Sequence, residues 1–284
     1  MARRALASAL ASLLLCIAAG GAAAQAPGAM ESLRVCADPD NLPFSHADQS
    51  GFENRIARLM AEDFKLPLAY EWLPDRRGFV RKTLGARLCD VIIGVPVGFE
   101  RAATTRPYYR SSYVLVQRAD QPLVHSFDDP RLRQWRIGVQ LMGNDLAASP
   151  PAHVLARHGV TKNVTGYAVP GEQPASQRAV RAIEGGELDA ALLWGPPAGW
   201  FAKQATVPLR ITRLPPPADM PALPFEYDIA MGTRRPDADL RARLDDFIAR
   251  RQADIDRILD DYAVPRVQTV QTVQQVQQLQ KVQR

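Results

Sequence analysis

Apolar residues along the chain switch between short continuous runs and helical spacing, and the switches predict a strand–helix order that occurs twice. Residues 33–38 (LRVCAD) form a β-rich run that ends in a loop holding Pro39 and Pro43. In residues 52–64 (FENRIARLMAEDF), Ile56, Leu59, Met60 and Phe64 recur at helical spacing with charges between them. The pattern turns extended at LAYEW and helical again from Arg77 to Arg87. Residues 90–97 (DVIIGVPV) are nearly all apolar, as expected of a strand covered on both faces of a parallel sheet. Alternation of strands and helices predicts right-handed βαβ units.

A crossing separates the two occurrences. Residues 111–118 (SSYVLVQR) predict a strand leaving the first group, and a loop with Asp128, Asp129 and Pro130 leads to residues 135–142 (WRIGVQLM), the first strand of a second group. Gly143, Asn144 and Asp145 then precede a predicted helix, which would aim free backbone N–H groups at the space between the groups. Residues 178–197 (RAVRAIEGGELDAALLWGPP) repeat the helix, glycine turn and buried strand of residues 77–96. A return strand at 226–234 (EYDIAMGTR) and helices over 240–264 pack back on the first group. The chain therefore divides into lobe I at 25–114, lobe II at 115–226, and the remainder of lobe I at 227–265. Each lobe is an α/β unit with a mostly parallel sheet flanked by helices, and two crossings between them predict a hinge over a ligand cleft.

Both termini fall outside this order. Arg3 and Arg4 precede an apolar run from Ala5 to Ala19, and Ala22, Ala23 and Ala24 supply a small-residue cleavage site, so residues 1–24 read as a secretory signal peptide. No later stretch reaches the roughly 20 apolar residues of a membrane span, and a periplasmic location is expected. At the other end, Val267, Val270, Val273, Val276, Leu279 and Val282 recur every third residue. Three residues of α-helix turn roughly 300°, so this stripe drifts around the axis instead of forming one face. Residues 266–284 therefore predict a low-complexity tail, disordered or ordered by a partner.

Loss of the leader removes two basic residues and no acidic one, taking the formal charge from +5 to +3. Basic and acidic residues are interspersed, so no nucleic-acid footprint is indicated. Cys16 leaves with the leader, and Cys36 and Cys89 remain in an oxidising compartment where pairing is the default. Against pairing, Cys36 sits late in its strand while Cys89 opens another, an offset that can exceed the reach of a disulfide between parallel neighbours. Two thiols without paired Cys/His spacing do not predict a zinc site, and no cofactor is expected.

Candidate binding residues follow from position. Phe44, after the first strand, faces the point where ligands of open α/β sheets collect, and either stacks on a ligand or packs its own loop. Asp38, Asp40 and Asn41 carry oxygens suited to a hard cation, yet lack calcium-loop spacing, and turn formation accounts for them better. Arg76 and Arg77, before Gly78, and Arg101, ending the VPVGFER turn, could each clamp a carboxylate. Tyr108 and Tyr109 line the cleft or anchor the hinge. Trp194 walls an apolar pocket or covers the core beneath Pro196 and Pro197. His153 and His158 are five residues apart, which does not place two ligands on one helix face. There is no G-x-S-x-G elbow, P-loop or H-E-x-x-H, and the pattern predicts binding without turnover.

The motifs RVCADPDNLPFS, GFENRIARLM, RRGFVRKTL, LCDVIIGVP and TTRPYYRSSYV, with LDAALLWGPPAGWFA and LPFEYDIAMGTRR further on, resemble the MxaJ/XoxJ family over about residues 33–267. These are periplasmic solute-binding-protein-like components found with quinoprotein methanol dehydrogenases. The resemblance implies the type II periplasmic-binding-protein fold and a non-catalytic accessory role for a PQQ-dependent methanol or alcohol dehydrogenase. The dehydrogenase is the implied partner, its c-type cytochrome a further one, and an unidentified small ligand is expected. An ABC-transporter receptor for a small polar solute other than a zwitterionic amino acid, such as a carboxylate engaging Arg101, is the alternative. Compared with amino-acid-binding relatives, Arg101 matches the arginine that holds an α-carboxylate, while Pro96 and Gly98 replace hydroxyl residues. Trp194 stands where those relatives carry the aspartate that pairs with the ammonium, so the cleft is not expected to bind ordinary zwitterionic amino acids.

Overall fold

The computed structural model describes residues 30–142, 146–168, 173–220 and 223–267. The expected leader, Asn144 and Asp145, and residues 268–284 of the expected tail lie outside these described residues. Lobe I begins with β1 (Leu33–Ala37), α1 (Phe52–Phe64), β2 (Leu68–Trp72), α2 (Phe79–Lys82) and β3 (Val91–Pro96). The long strand β4 (Tyr109–Arg118) leads into lobe II, built from β5 (Ile137–Met142), α3 (Pro150–Arg157), β6 (Val164–Tyr167), α4 (Ala175–Glu184), β7 (Ala190–Trp194), α5 (Gly195–Lys203) and β8 (Leu209–Thr212). Strand β9 (Glu226–Thr233) returns, and α6 (Ala238–Asp261) closes the fold.

One sheet runs through both lobes in the order β6-β5-β7-β4-β9-β3-β1-β2. Strands β2, β1 and β3 are parallel, as are β6, β5 and β7. Between these triplets β4 and β9 lie antiparallel to their neighbours. Residues Val91, Ile92 and Ile93 are all buried, which explains the continuous apolar run. On α1 the buried Phe52, Ile56 and Met60 recur every four residues, and Phe64 meets Phe247 of α6 edge to face at 5.9 Å.

The helix expected from Arg77 to Arg87 is shorter, spanning only Phe79–Lys82. Thr83 leaves helical geometry while its hydroxyl donates to the Phe79 carbonyl at 2.8 Å, and the following turn is buried at Leu84. A side-chain bond back to the preceding turn competes with helix continuation.

Cys36 and Cys89 form a disulfide with their Cα atoms 5.4 Å apart. In the β1–β3 register Cys36 faces Ile92, so ladder position alone would keep the cysteines apart. Cys89 precedes β3, in the bent segment after Leu88, and the register does not constrain it. Next to it, Asp90 accepts two bonds from Arg34, at 2.9 and 2.7 Å, and one from Arg234 at 2.8 Å. Burial pushes the Asp90 carboxyl up, but the two guanidiniums outweigh it and hold the group below the usual carboxylate range. The stability this pairing contributes is full above the ordinary Asp range and is lost as pH falls through the depressed value.

Replacing both bridge partners, Cys36→Ala with Cys89→Ala, is expected to lower stability by about 2–4 kcal/mol, because the unfolded chain loses the constraint of a long closed loop. Urea unfolding of the variant and of reduced wild-type protein should show the same loss; equal midpoints with and without the bridge would contradict it.

Candidate functional site

A cavity of about 450 Å³ lies between the lobes, at the carboxyl ends of β1 and β3 on one side and of β5 and β7 on the other. Open α/β sheets bind ligands at this end, where loops diverge and backbone groups are free. The β1–α1 loop is held over it by hydrogen bonds between side chains and backbone. Asp38 accepts from the Asp40 N–H at 2.9 Å and the Asp75 N–H at 2.6 Å, and its carbonyl takes the Ser45 hydroxyl at 2.8 Å. Asn54 accepts from the N–H groups of His46 and Gly51 at 3.0 and 3.1 Å, tying the loop to the start of α1. A Cβ on Gly51 would stand 2.2 Å from the Phe44 carbonyl oxygen, so only glycine permits this approach.

That approach delivers Glu53, in the first turn of α1, to the cavity floor. Its carboxyl rests against the Cα of Gly94, where any Cβ would be 2.0 Å from Oε1. Burial, and then the neighbouring Asp75 carboxylate, push the Glu53 pKa well above the ordinary Glu value. Asp75, at the mouth, is raised as well, first by desolvation and then by Asp38. No Lys, Arg or His is found among the described residues lining this cavity, while three carboxyl groups are. Among the described residues no cluster of His, Cys, Asp and Glu is arranged to hold a metal ion.

An aromatic wall is built by Trp194 of lobe II with rings from the two crossing strands. Trp194, at the end of β7, is the cross-strand partner of Tyr113 on β4, and their rings meet at 5.4 Å. Tyr227 of β9 packs on the other side of Trp194 at 5.6 Å. Gln140 positions the turn by accepting from the Trp194 N–H at 3.3 Å. Burial pushes the Tyr113 phenol up.

Asp38, Phe44 and Trp194 therefore all line the cavity. Asp38 also shapes its turn, and Trp194 both walls the cavity and packs on the lobe II core. Arg76, Arg77 and Arg101 are not brought there. Phe99 takes the inward place of the turn after Gly98, Ala102 is buried behind it, and Arg101 is left exposed on the outer face. One short turn of helix points Phe79 and Val80 at the cavity, leaving Arg77 on a separate groove and Arg76 in solvent. Tyr108 is buried behind the site, and its neighbour Tyr109 lines the cavity instead, because adjacent residues entering a strand face opposite ways. Glu53 was not singled out by sequence, since an acid in the first turn is an ordinary helix-dipole residue. Its signal is the glycine at the N-cap, which lets the helix start crowd the loop.

These positions reverse the reason for excluding zwitterions. An ammonium would find Glu53, Asp38 and Asp75; the stranded group would be the carboxylate, for which the cavity's described lining offers no cation.

The fold and interlobe cavity define a two-lobed binding-protein architecture. Protein MoxJ of Methylorubrum extorquens is 31% identical over 248 residues, covering 82% of this chain and 81% of its own. MoxJ of Paracoccus denitrificans is 29% identical over 252 residues, covering 82% and 88%. The periplasmic binding protein XoxJ of Methylobacterium extorquens AM1 superposes with a TM-score of 0.69 at 36% identity, over 84% of this chain and all of that one. MxaJ of Methlophaga aminisulfidivorans gives a TM-score of 0.71 at 25% identity, over 83% and 100%. The scan against family models found no match. The chain belongs to the MoxJ family, with XoxJ and MxaJ as its structural relatives.

A carboxyl whose folded pKa is raised binds more protons in the folded than in the unfolded state, so stability falls as pH rises from the ordinary Glu value towards the raised one. Glu53→Gln should therefore raise the unfolding midpoint at neutral pH, with the gain fading on acidification towards the ordinary value of 4.5. Thermal melts of both proteins across that range check it; a gain independent of pH would contradict the assignment.

Proposed function

We propose that the protein acts in the periplasm as a non-catalytic, binding-protein-like accessory factor for a PQQ-dependent methanol or alcohol dehydrogenase, assisting its maturation, activity or docking. Membership of the MoxJ family supports the setting. The observation that carries the binding role is the interlobe cavity, walled by Trp194 and floored by Glu53. A carboxyl whose pKa burial raises well above its ordinary value inside a cleft supports a functional reading of that cleft. The same lining favours an uncharged or cationic ligand with an apolar body. Deletion of the gene should impair alcohol oxidation, and the tagged protein should co-purify with the dehydrogenase or its cytochrome. Normal oxidation together with no physical association would remove this reading.

A receptor for a small polar solute in import is the second reading, favoured by a cavity of about 450 Å³, a size suited to a small molecule. Arg101 does not reach that cavity, so a carboxylate clamp is no part of this reading. A ligand of the folded state raises stability by RT ln(1 + [L]/Kd). Small alcohols and amines should raise the unfolding midpoint where carboxylates do not, and Trp194→Ala should abolish the rise. A carboxylate that stabilises the protein through the cleft would overturn the ligand class.

A further inference from the structure

A second concavity, of about 720 Å³, lies on lobe I beside the cleft, with Val80 shared between the two linings. Arg77 and Arg81 come from the α2 region, Arg101 from the turn after β3, and Arg234 and Arg235 from the segment between β9 and α6. Five of its ten lining residues are arginines, over a floor of Val80, Leu84 and Pro236. Two of the five are structural: Arg234 donates to Asp90 at 2.8 Å, and Arg235 to the Glu100 carbonyl at 2.7 Å. Arg77, Arg81 and Arg101 are exposed, and among the described residues none of them has an acidic partner. Elsewhere arginines are commonly paired, as Arg34, Arg55, Arg110, Arg136 and Arg250 are.

We propose that this groove is a docking site for an acidic segment of a partner protein. Three guanidiniums left without counter-charge in one concavity repel one another and give the fold nothing in return, so their favourable interactions come from outside the chain. Small-ligand pockets are lined mainly by apolar and aromatic groups with a few polar ones. The interlobe cavity fits that description; the groove, half arginine and with no aromatic, does not. Exposed guanidiniums drawn from two chain segments suit the charged approach and registration of a protein surface. Each can also take a carboxylate bidentately, with the methylene stems and the apolar floor adding contact.

The test is fluorescence anisotropy of a labelled peptide of Glu and Asp against the full chain. Binding should weaken as ionic strength rises, and Arg77→Glu with Arg101→Glu should weaken it at least about tenfold. Lys162→Glu, an exposed charge in lobe II, should leave it unchanged. Among the described residues neither Arg77 nor Arg101 holds an ion pair, so the unfolding midpoint of the double variant should match wild type. If that variant fails to fold, Arg77→Gln with Arg101→Gln should still weaken binding. No binding, equal loss with Lys162→Glu, competition by citrate at the peptide's own concentration, or capture of anionic vesicles in preference to the peptide would each overturn the assignment.

Discussion

Strand β4 is the element on which the molecule depends, because one run of backbone carries the hydrogen-bond ladders of both lobes. Its first residues, Tyr109 to Ser112, pair with β9, and from Tyr113 onward it pairs with β7 and β8. The parallel triplets cannot slide independently while this strand is intact. Arg110 reinforces the switch, reaching Glu226 at 3.1 Å and Asp228 at 2.9 Å across the two crossing strands. The end of the described chain adds a further tie beside it: the Ser111 hydroxyl donates to the Pro265 carbonyl at 2.6 Å, and the Val267 N–H to the Arg110 carbonyl at 2.9 Å. Tyr262 completes it, stacked on Trp200 of α5 at 4.7 Å and edge-on to Phe52 of α1 at 5.8 Å. Any motion between the lobes would be absorbed in a few residues of β4 and β9, the two strands that cross between them.

The cavity at that junction combines carboxyl groups with aromatic rings. Lobe I contributes Asp38, Glu53 and Asp75 together with the rings of Phe44, Phe79 and Phe99, and lobe II contributes Trp194. Closure around a ligand would desolvate the carboxyls further, which favours their protonated forms or a cationic partner. The arginines of the lobe I groove, meanwhile, lie outside the cleft, whose described lining carries no Lys, Arg or His.

Much of this was legible in the residues. The helical spacing of Ile56, Met60 and Phe64, the apolar run at Val91, and the repeat of helix, glycine turn and strand in residues 178–197 all follow from periodicity, because burial on one face or two leaves a one-dimensional trace. The cleft position of Asp38, Phe44 and Trp194 was legible for a related reason: residues just after a buried strand emerge at the ligand end of an α/β sheet. The disulfide stood open until the bend at Leu88 was known, since register constrains only residues within the ladder.

Chain order by itself determined the alternation of elements, their count of crossings, and which residues leave each strand near the cleft. Tertiary structure alone decided the charges that meet there. Arg77, Arg101 and Arg235 are dispersed along the chain, so their sequence neighbourhood reads as mixed and unremarkable charge, and only the fold gathers them. Glu53 is an ordinary first-turn acid until the fold seats its carboxyl against Gly94 at the cavity floor, where partial burial raises its pKa. Periodicity encodes which face of an element is buried; electrostatics depends on distance in space and on loss of solvent, and neither is written in the order of residues.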